Sequence, residues 1–125
     1  MIYLDTSFLI RALVPGSAED HRLRTRLRSK EIIAVSAIVW AEFLCGPVGS
    51  HHVALATLIV GEPVPFLPQD AMLAARLFNL TGCRRGTLID CMIAATAIRQ
   101  GAALATSNLE DFRRFEPHGL RLASP

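Results

Sequence analysis

Met1-Ile2-Tyr3-Leu4-Asp5-Thr6-Ser7-Phe8-Leu9-Ile10 opens the chain and decides how the rest is read. Ile2, Tyr3 and Leu4 are strand formers in a short apolar run that stops at Asp5. Thr6 and Ser7 are helix-capping hydroxyls, and a second apolar run follows them. The pattern is strand, sharp turn, helix, with a carboxylate at the carboxyl end of the strand. In open α/β sheets that end is where ligands bind. Taken alone, Asp5 reads first as a cap for the helix it precedes.

The remainder of the chain repeats the alternation. Phe8 to Leu13 continues a short helix that Pro15-Gly16 stops, and Ser17 caps a helix over residues 18–30, with Asp20 as its capping-box partner. Leu23 and Leu27 of that helix are expected to face inward, with Arg22, Arg26 and Lys30 on one outer stripe. Residues 32–35 read as a buried strand and residues 36–45 as a helix closed by Gly46-Pro47. Residues 50–60 and 68–80 read as two further helices. Residues 81–86 form a loop before the strongest helix, from Thr87 to Gly101, which is apolar nearly all round. A strand at 102–106, a helical piece at 108–115 and a last strand at 120–122 complete the order. Strands alternating with helices predict an α/β fold, a three-layer α/β/α sandwich around a mostly parallel sheet, with residues 1–125 as one domain.

Composition agrees and narrows the class. The chain has 125 residues, 51% of them hydrophobic and 19% charged, which suits a globular domain and not a disordered one. The net charge of +2 is compatible with a nucleic-acid partner without arguing for one. Lys30 is the one lysine among 13 basic residues; Arg suits bidentate phosphate contacts, but a coding bias produces the same count. Cys45, Cys83 and Cys91 form no Cys-x-x-Cys pair, so small thiols in a reducing compartment are expected rather than a disulfide frame or a zinc site. There is no signal-like start and no uncharged apolar run of the ~18 residues a membrane span needs. A soluble, cytoplasmic protein with no membrane partner is expected.

Three of the eleven acids sit in odd company: Asp5 in IYL-D-TSFLI, Glu42 in IVWA-E-FLC and Asp90 in LI-D-CMIAA. Each has a bland explanation. Asp5 caps, Glu42 lies on an exposed helix face, and Asp90 completes a Thr-x-x-Asp capping pattern with Thr87. Together they leave a coincidence, because desolvating a carboxylate is costly unless it is paired, and these runs contain no Lys or Arg. If the three converge, a divalent cation relieves their repulsion, and an all-oxygen site suits Mg²⁺ or Mn²⁺.

Asp5-Thr6-Ser7 after the first strand, Ala41-Glu42 in a helix, Leu88-Ile89-Asp90 with Ile93-Ala94-Ala95, and Leu104-Ala105-Thr106-Ser107-Asn108 with Asp111-Phe112 make an ordered set. The set resembles a PIN domain, and its spacing is similar to the VapC-like toxins of type II toxin–antitoxin pairs. That resemblance implies a Mg²⁺-dependent endoribonuclease, with Mn²⁺ able to substitute, acting on an RNA substrate. It also implies silencing by a cognate antitoxin protein and a homodimeric state. It places catalytic and metal-holding roles on Asp5, Glu42 and Asp90, and supporting hydroxyls at Thr6 and Thr106. Thr6 and Ser7 are then left to cap the helix. The family often reads Thr-x-Asp after the last central strand; here Thr106-Ser107-Asn108 stands instead, so either Asn108 or Asp111 takes the fourth position.

Arg84 and Arg85, just ahead of the Asp90 helix, are the expected RNA contacts by location, although an exposed loop pair reads the same way. The rival function is a non-catalytic PIN-like module that binds RNA or a partner, which the altered fourth position keeps open. A receiver-like phospho-acceptor domain needs an acidic pair at the first strand end and a late Lys, and the chain has neither. The RNA target and the bond cut are not written in the sequence.

Overall fold

The computed structural model of the chain describes residues 1–124, so Pro125, the end of the expected domain, lies outside the described residues. The sheet has four strands in the order β2-β1-β3-β4: β1 (Ile2–Leu4), β2 (Ile33–Ala34), β3 (Ala103–Ala105) and β4 (Arg121–Leu122). Every pairing is parallel; Ile2 lies opposite Ile33 on one side and opposite Ala103 on the other. Parallel strands cannot be joined by tight hairpins, so helices carry each crossover. They are α1 (Thr6–Ala12), α2 (Ala18–Arg28), α3 (Ala37–Cys45), α4 (Ser50–Val60), α5 (Pro68–Leu80), α6 (Leu88–Arg99) and α7 (Leu109–Arg113). A 3₁₀ turn at Glu116–His118 leads into β4. The chain leaves β1 toward β2 on one side and returns past it to β3 on the other. Right-handed crossovers then put α1 and α2 on one face of the sheet and α5 to α7 on the opposite one. The result is the expected three-layer α/β/α sandwich.

Central strands buried on both faces should be apolar throughout, and β1 is: Ile2, Tyr3 and Leu4 are all buried. Against them pack Phe8 and Leu9 of α1, Val39 and Phe43 of α3, and Cys91, Ile93, Ala94, Ala95 and Ala97 of α6. The alanines let α6 lie close to the sheet, and Gly101, at a φ of +63°, turns the chain out of that helix and into β3.

Two details of packing differ from expectation. Leu23 of α2 is buried as expected, but Leu27 is 41% exposed. Leu27 lies instead in the wall of an open cleft that Leu55 and Ile59 of α4 also line. β2 is also shorter than its apolar run, because Ile32 and Val35 lie outside the paired residues. No helix among the described residues is long and apolar enough to cross a membrane.

Candidate active site

The order in which strands are added reverses between β1 and β3, and this opens a crevice beyond their carboxyl ends. Asp5 follows β1 and Thr106 follows β3, and they meet there. The Asp5 amide donates to the Ala105 carbonyl (3.0 Å), and Thr106 Oγ1 donates to Asp5 Oδ2 (2.5 Å). The other carboxylate oxygen, Oδ1, accepts from the Phe8 amide and from Ser7 Oγ, both at 2.9 Å. This corrects the expectation that Thr6 and Ser7 cap the helix. Asp5 is itself the cap of α1, because its side chain is placed to reach the amide three residues on, while Ser7 orients the carboxylate. Asp5 is 3% exposed. Burial raises its pKa, the hydrogen bonds from Thr106, Phe8 and Ser7 oppose that, and the Glu42 charge adds to it; the net direction is upward.

Glu42 reaches the same crevice from α3, whose start is fixed by Ser36 Oγ accepting from the Val39 amide (3.1 Å). Its Oε1 accepts from Thr6 Oγ1 at 2.6 Å. Glu42 is exposed, as are Leu44 and the start of the following loop, so at this position the desolvation argument from sequence does not apply. Asp90 sits in the first turn of α6 with its side chain 30% exposed. Thr87 does not share a capping box with it; Thr87 Oγ1 donates instead to the Arg84 carbonyl (2.6 Å). Asp90 is therefore unclaimed by helix capping. Its pKa is raised from 3.8 to about 6, first by burial and then by the Asp111 charge. Arg114 opposes the rise, and Glu42 and Asp5 reinforce it. Two carboxylates from opposite ends of the chain thus feel each other's charge.

Asp5, Glu42, Asp90, Asn108 and Asp111 line one cleft of about 280 Å³, together with Thr6 and Ser7. Both candidates for the fourth position face it. Asn108 stands at the start of α7 with its amide donating to Thr106 Oγ1 (2.9 Å), and Asp111 projects from the first turn of that helix. The loop between β3 and α7 is tied down from behind, where Ser107 Oγ donates to Glu19 Oε2 (3.1 Å) on α2. Thr106 does not line the cleft but supports Asp5 from below. Arg84 and Arg85 are exposed in the loop before α6 and are not part of the cleft wall.

One residue of the site had no signal in the sequence. Arg114, at the end of α7, brings Nη2 to 3.5 Å from Asp90 Oδ2. The two are 24 positions apart on different helices, so neither periodicity nor local charge patterning could pair them.

The donor set is the kind that hard cations take: carboxylates, an amide carbonyl and hydroxyls, all oxygen, with no thiolate or imidazole in the wall. Among the described residues no three His, Cys, Asp or Glu side chains stand close enough to enclose an ion as they are placed. The carboxylates line the cleft apart from one another, and their mutual repulsion adds to burial in raising the pKa of Asp90. The residues fit a divalent cation in chemistry, and one would have to draw them together.

Comparison with known proteins follows from this geometry. The family model described as PIN domain matches residues 2–116. No curated protein matches the sequence. Among solved structures the chain is similar to VapBC2 from Rickettsia felis bound to a promoter DNA fragment, at 24% identity and a TM-score of 0.77 over 98% of each chain. It is similar to FitAcB from Neisseria gonorrhoeae at 24% identity and a TM-score of 0.73, covering 100% of this chain and 98% of that one. It also matches Mycobacterium tuberculosis VapC20, a sarcin–ricin-loop-cleaving toxin, at 19% identity and a TM-score of 0.66 over the whole of both chains.

Proposed function

The chain belongs to the PIN domain family, and from that premise we propose that it is a Mg²⁺-dependent endoribonuclease, the toxin of a toxin–antitoxin pair. The observation that carries this reading is the meeting of Asp5, Glu42, Asp90 and Asp111 in one cleft at the carboxyl ends of β1 and β3. Acids from four separate elements do not gather there for packing, since each raises the cost of ionising the others.

The roles follow from the contacts each side chain makes. Asp5 is held rigid by three donors, which leaves its carboxylate oriented toward the cleft without freedom to turn. Asp90 is its counterpart from α6, and Asn108 or Asp111 completes the oxygen set. Glu42 is exposed and held by a single hydroxyl, so it has the solvent access a proton acceptor needs; it takes the proton from a water bound in the cleft. A bound Mg²⁺ or Mn²⁺ supplies acidification of that water and charge relief at the phosphate. Positioning of the RNA falls to arginines outside the cleft, with Arg84 and Arg85 the nearest in sequence to α6.

VapC20, which shares the fold, cleaves the sarcin–ricin loop, and this supports structured RNA as the substrate class. Several fold relatives were solved with their antitoxins, and this supports an antitoxin as partner and regulator. A homodimer and a cytoplasmic location complete the proposal. The non-catalytic alternative rests on Asn108, a neutral residue in the cleft wall. Incubating purified protein with total RNA separates the two. Cutting in Mg²⁺ that EDTA abolishes supports the nuclease, and intact RNA in both arms supports the binding module.

A further inference from the structure

Arg114 has an unusual setting for a guanidinium. Its side chain is 17% exposed, its Nε and Nη2 are buried without a hydrogen-bond partner, and its plane lies over the fully buried Phe115 ring at 4.6 Å. The nearest opposite charge is Asp90 Oδ2, at 3.5 Å from Nη2, within ion-pair range but not aligned as a hydrogen bond. Burying a permanent charge without hydrogen bonds is costly, and nothing about packing Phe115 requires a cation there. Nε and Nη2 are enclosed by protein, and Nη2 faces Asp90 of the cleft. The charge is therefore directed inward, at the acids of the cleft.

We propose that Arg114 is a built-in counter-cation of the carboxylate cleft, positioning Asp90 and limiting the free protein to one tightly held divalent ion. This rests on the metal-site reading above. The charges decide it. Four carboxylates line the cleft, Asp5, Glu42, Asp90 and Asp111, and Arg114 offsets one of them. One divalent ion then leaves a single negative charge, and a second would overshoot to positive. Without Arg114, two divalent ions would balance the four acids. Arg114 thus supplies, at a fixed place beside Asp90, part of the positive charge that a second ion would bring. It acts through Asp90 and touches no reacting atom, so it is a positioning residue.

Calorimetric titration of the apo protein with Mn²⁺ tests this without reference to activity. Wild type should take up one tight ion. Arg114→Met, which keeps the stem over Phe115 but removes the charge, should gain a second tight site or hold the first roughly tenfold more tightly. Arg114→Lys should return wild-type stoichiometry. Two tight sites in wild type, or Arg114→Met titrating like wild type, would overturn the proposal while leaving the metal site intact. No Mn²⁺ uptake by wild type would overturn the metal reading itself. Should Arg114→Met fail to fold by circular dichroism, the ion count of wild type and of Arg114→Lys still decides.

Discussion

Asp5 does two jobs with one side chain, and the two can be separated by substitution. As a cap it accepts from the Phe8 amide; as a cleft acid it carries charge. Asp5→Ala removes both and should cost about 1–2 kcal/mol in urea denaturation, the usual worth of a cap. Asp5→Asn keeps an acceptor for Phe8 and leaves Thr106 able to accept in place of donating, so its stability should stay within about 1 kcal/mol of wild type. Asp90 behaves in the opposite sense. Its folded pKa of about 6 lies above the ordinary 3.8, so between those values the folded state binds more protons than the unfolded chain. Stability contributed at this residue is therefore lost as pH rises from about 4 to about 6. Discounted for partial exposure, the loss is about 1–2 kcal/mol. In EDTA, Asp90→Asn should match wild type near pH 4 and be the more stable protein at pH 7.5. A variant less stable than wild type at pH 7.5 would show that Asp90 is stabilised by Arg114 rather than strained by its neighbours. These acids were legible in the sequence because each interrupts an apolar run. Arg114 was not, because its partner comes from another helix; the exposure of Glu42 was one of two readings, and it is the one α3 adopts by presenting that side to solvent.

At the scale of elements, the site depends on helices being held where their first turns face the crevice. For α6 the hold comes from α5. Asp70 is fully buried, accepts from the Leu67 amide (2.8 Å), and pairs with Arg99 Nε at 2.5 Å, while Arg99 Nη2 donates to the Pro65 carbonyl (3.1 Å). This one network ties the start of α5 and the extended segment before it to the end of α6. Asp70→Ala leaves the arginine half-buried and unpaired, and should lower stability by about 3–5 kcal/mol without touching the cleft. A loss below about 1 kcal/mol in denaturant titration would mean the helices are held by their apolar faces alone. The position of Asp70 as the third residue of a helix opened by Pro68 is visible in the sequence; its pairing with Arg99, 29 residues on, is not. The helices themselves were readable because caps and stops bracket them: Ser36 and Gly46 around α3, Pro68 as the first residue of α5, Gly101 after α6. The strands were readable as apolar runs but not in their paired length, since register is a property of two strands and no single run contains it.

Across the whole molecule, β1 is the organising element: it is flanked by β2 and β3, and the order of strand addition reverses beside it. That reversal makes the crevice, and the crevice collects acids from β1, α3, α6 and α7. The sequence could say that the acids were misplaced and the sheet parallel. Only the strand order says that they meet. If they meet in order to hold a cation, Mg²⁺ must stabilise the folded state over the unfolded one. At a concentration about a hundredfold above its dissociation constant the gain is about 2.7 kcal/mol. Wild type should therefore melt several degrees higher in Mg²⁺ than in EDTA, and Asp90→Asn should lose most of that difference. An equal rise in both would place the ion elsewhere on the surface. The most direct test of the account sets wild type beside Asp5→Asn on total RNA in Mg²⁺, both proteins first shown to unfold at similar denaturant concentrations. Wild type should cut and Asp5→Asn should be slower by about a hundredfold or more, because charge at the strand end has been removed at constant shape. Equal rates in the two folded proteins would contradict it.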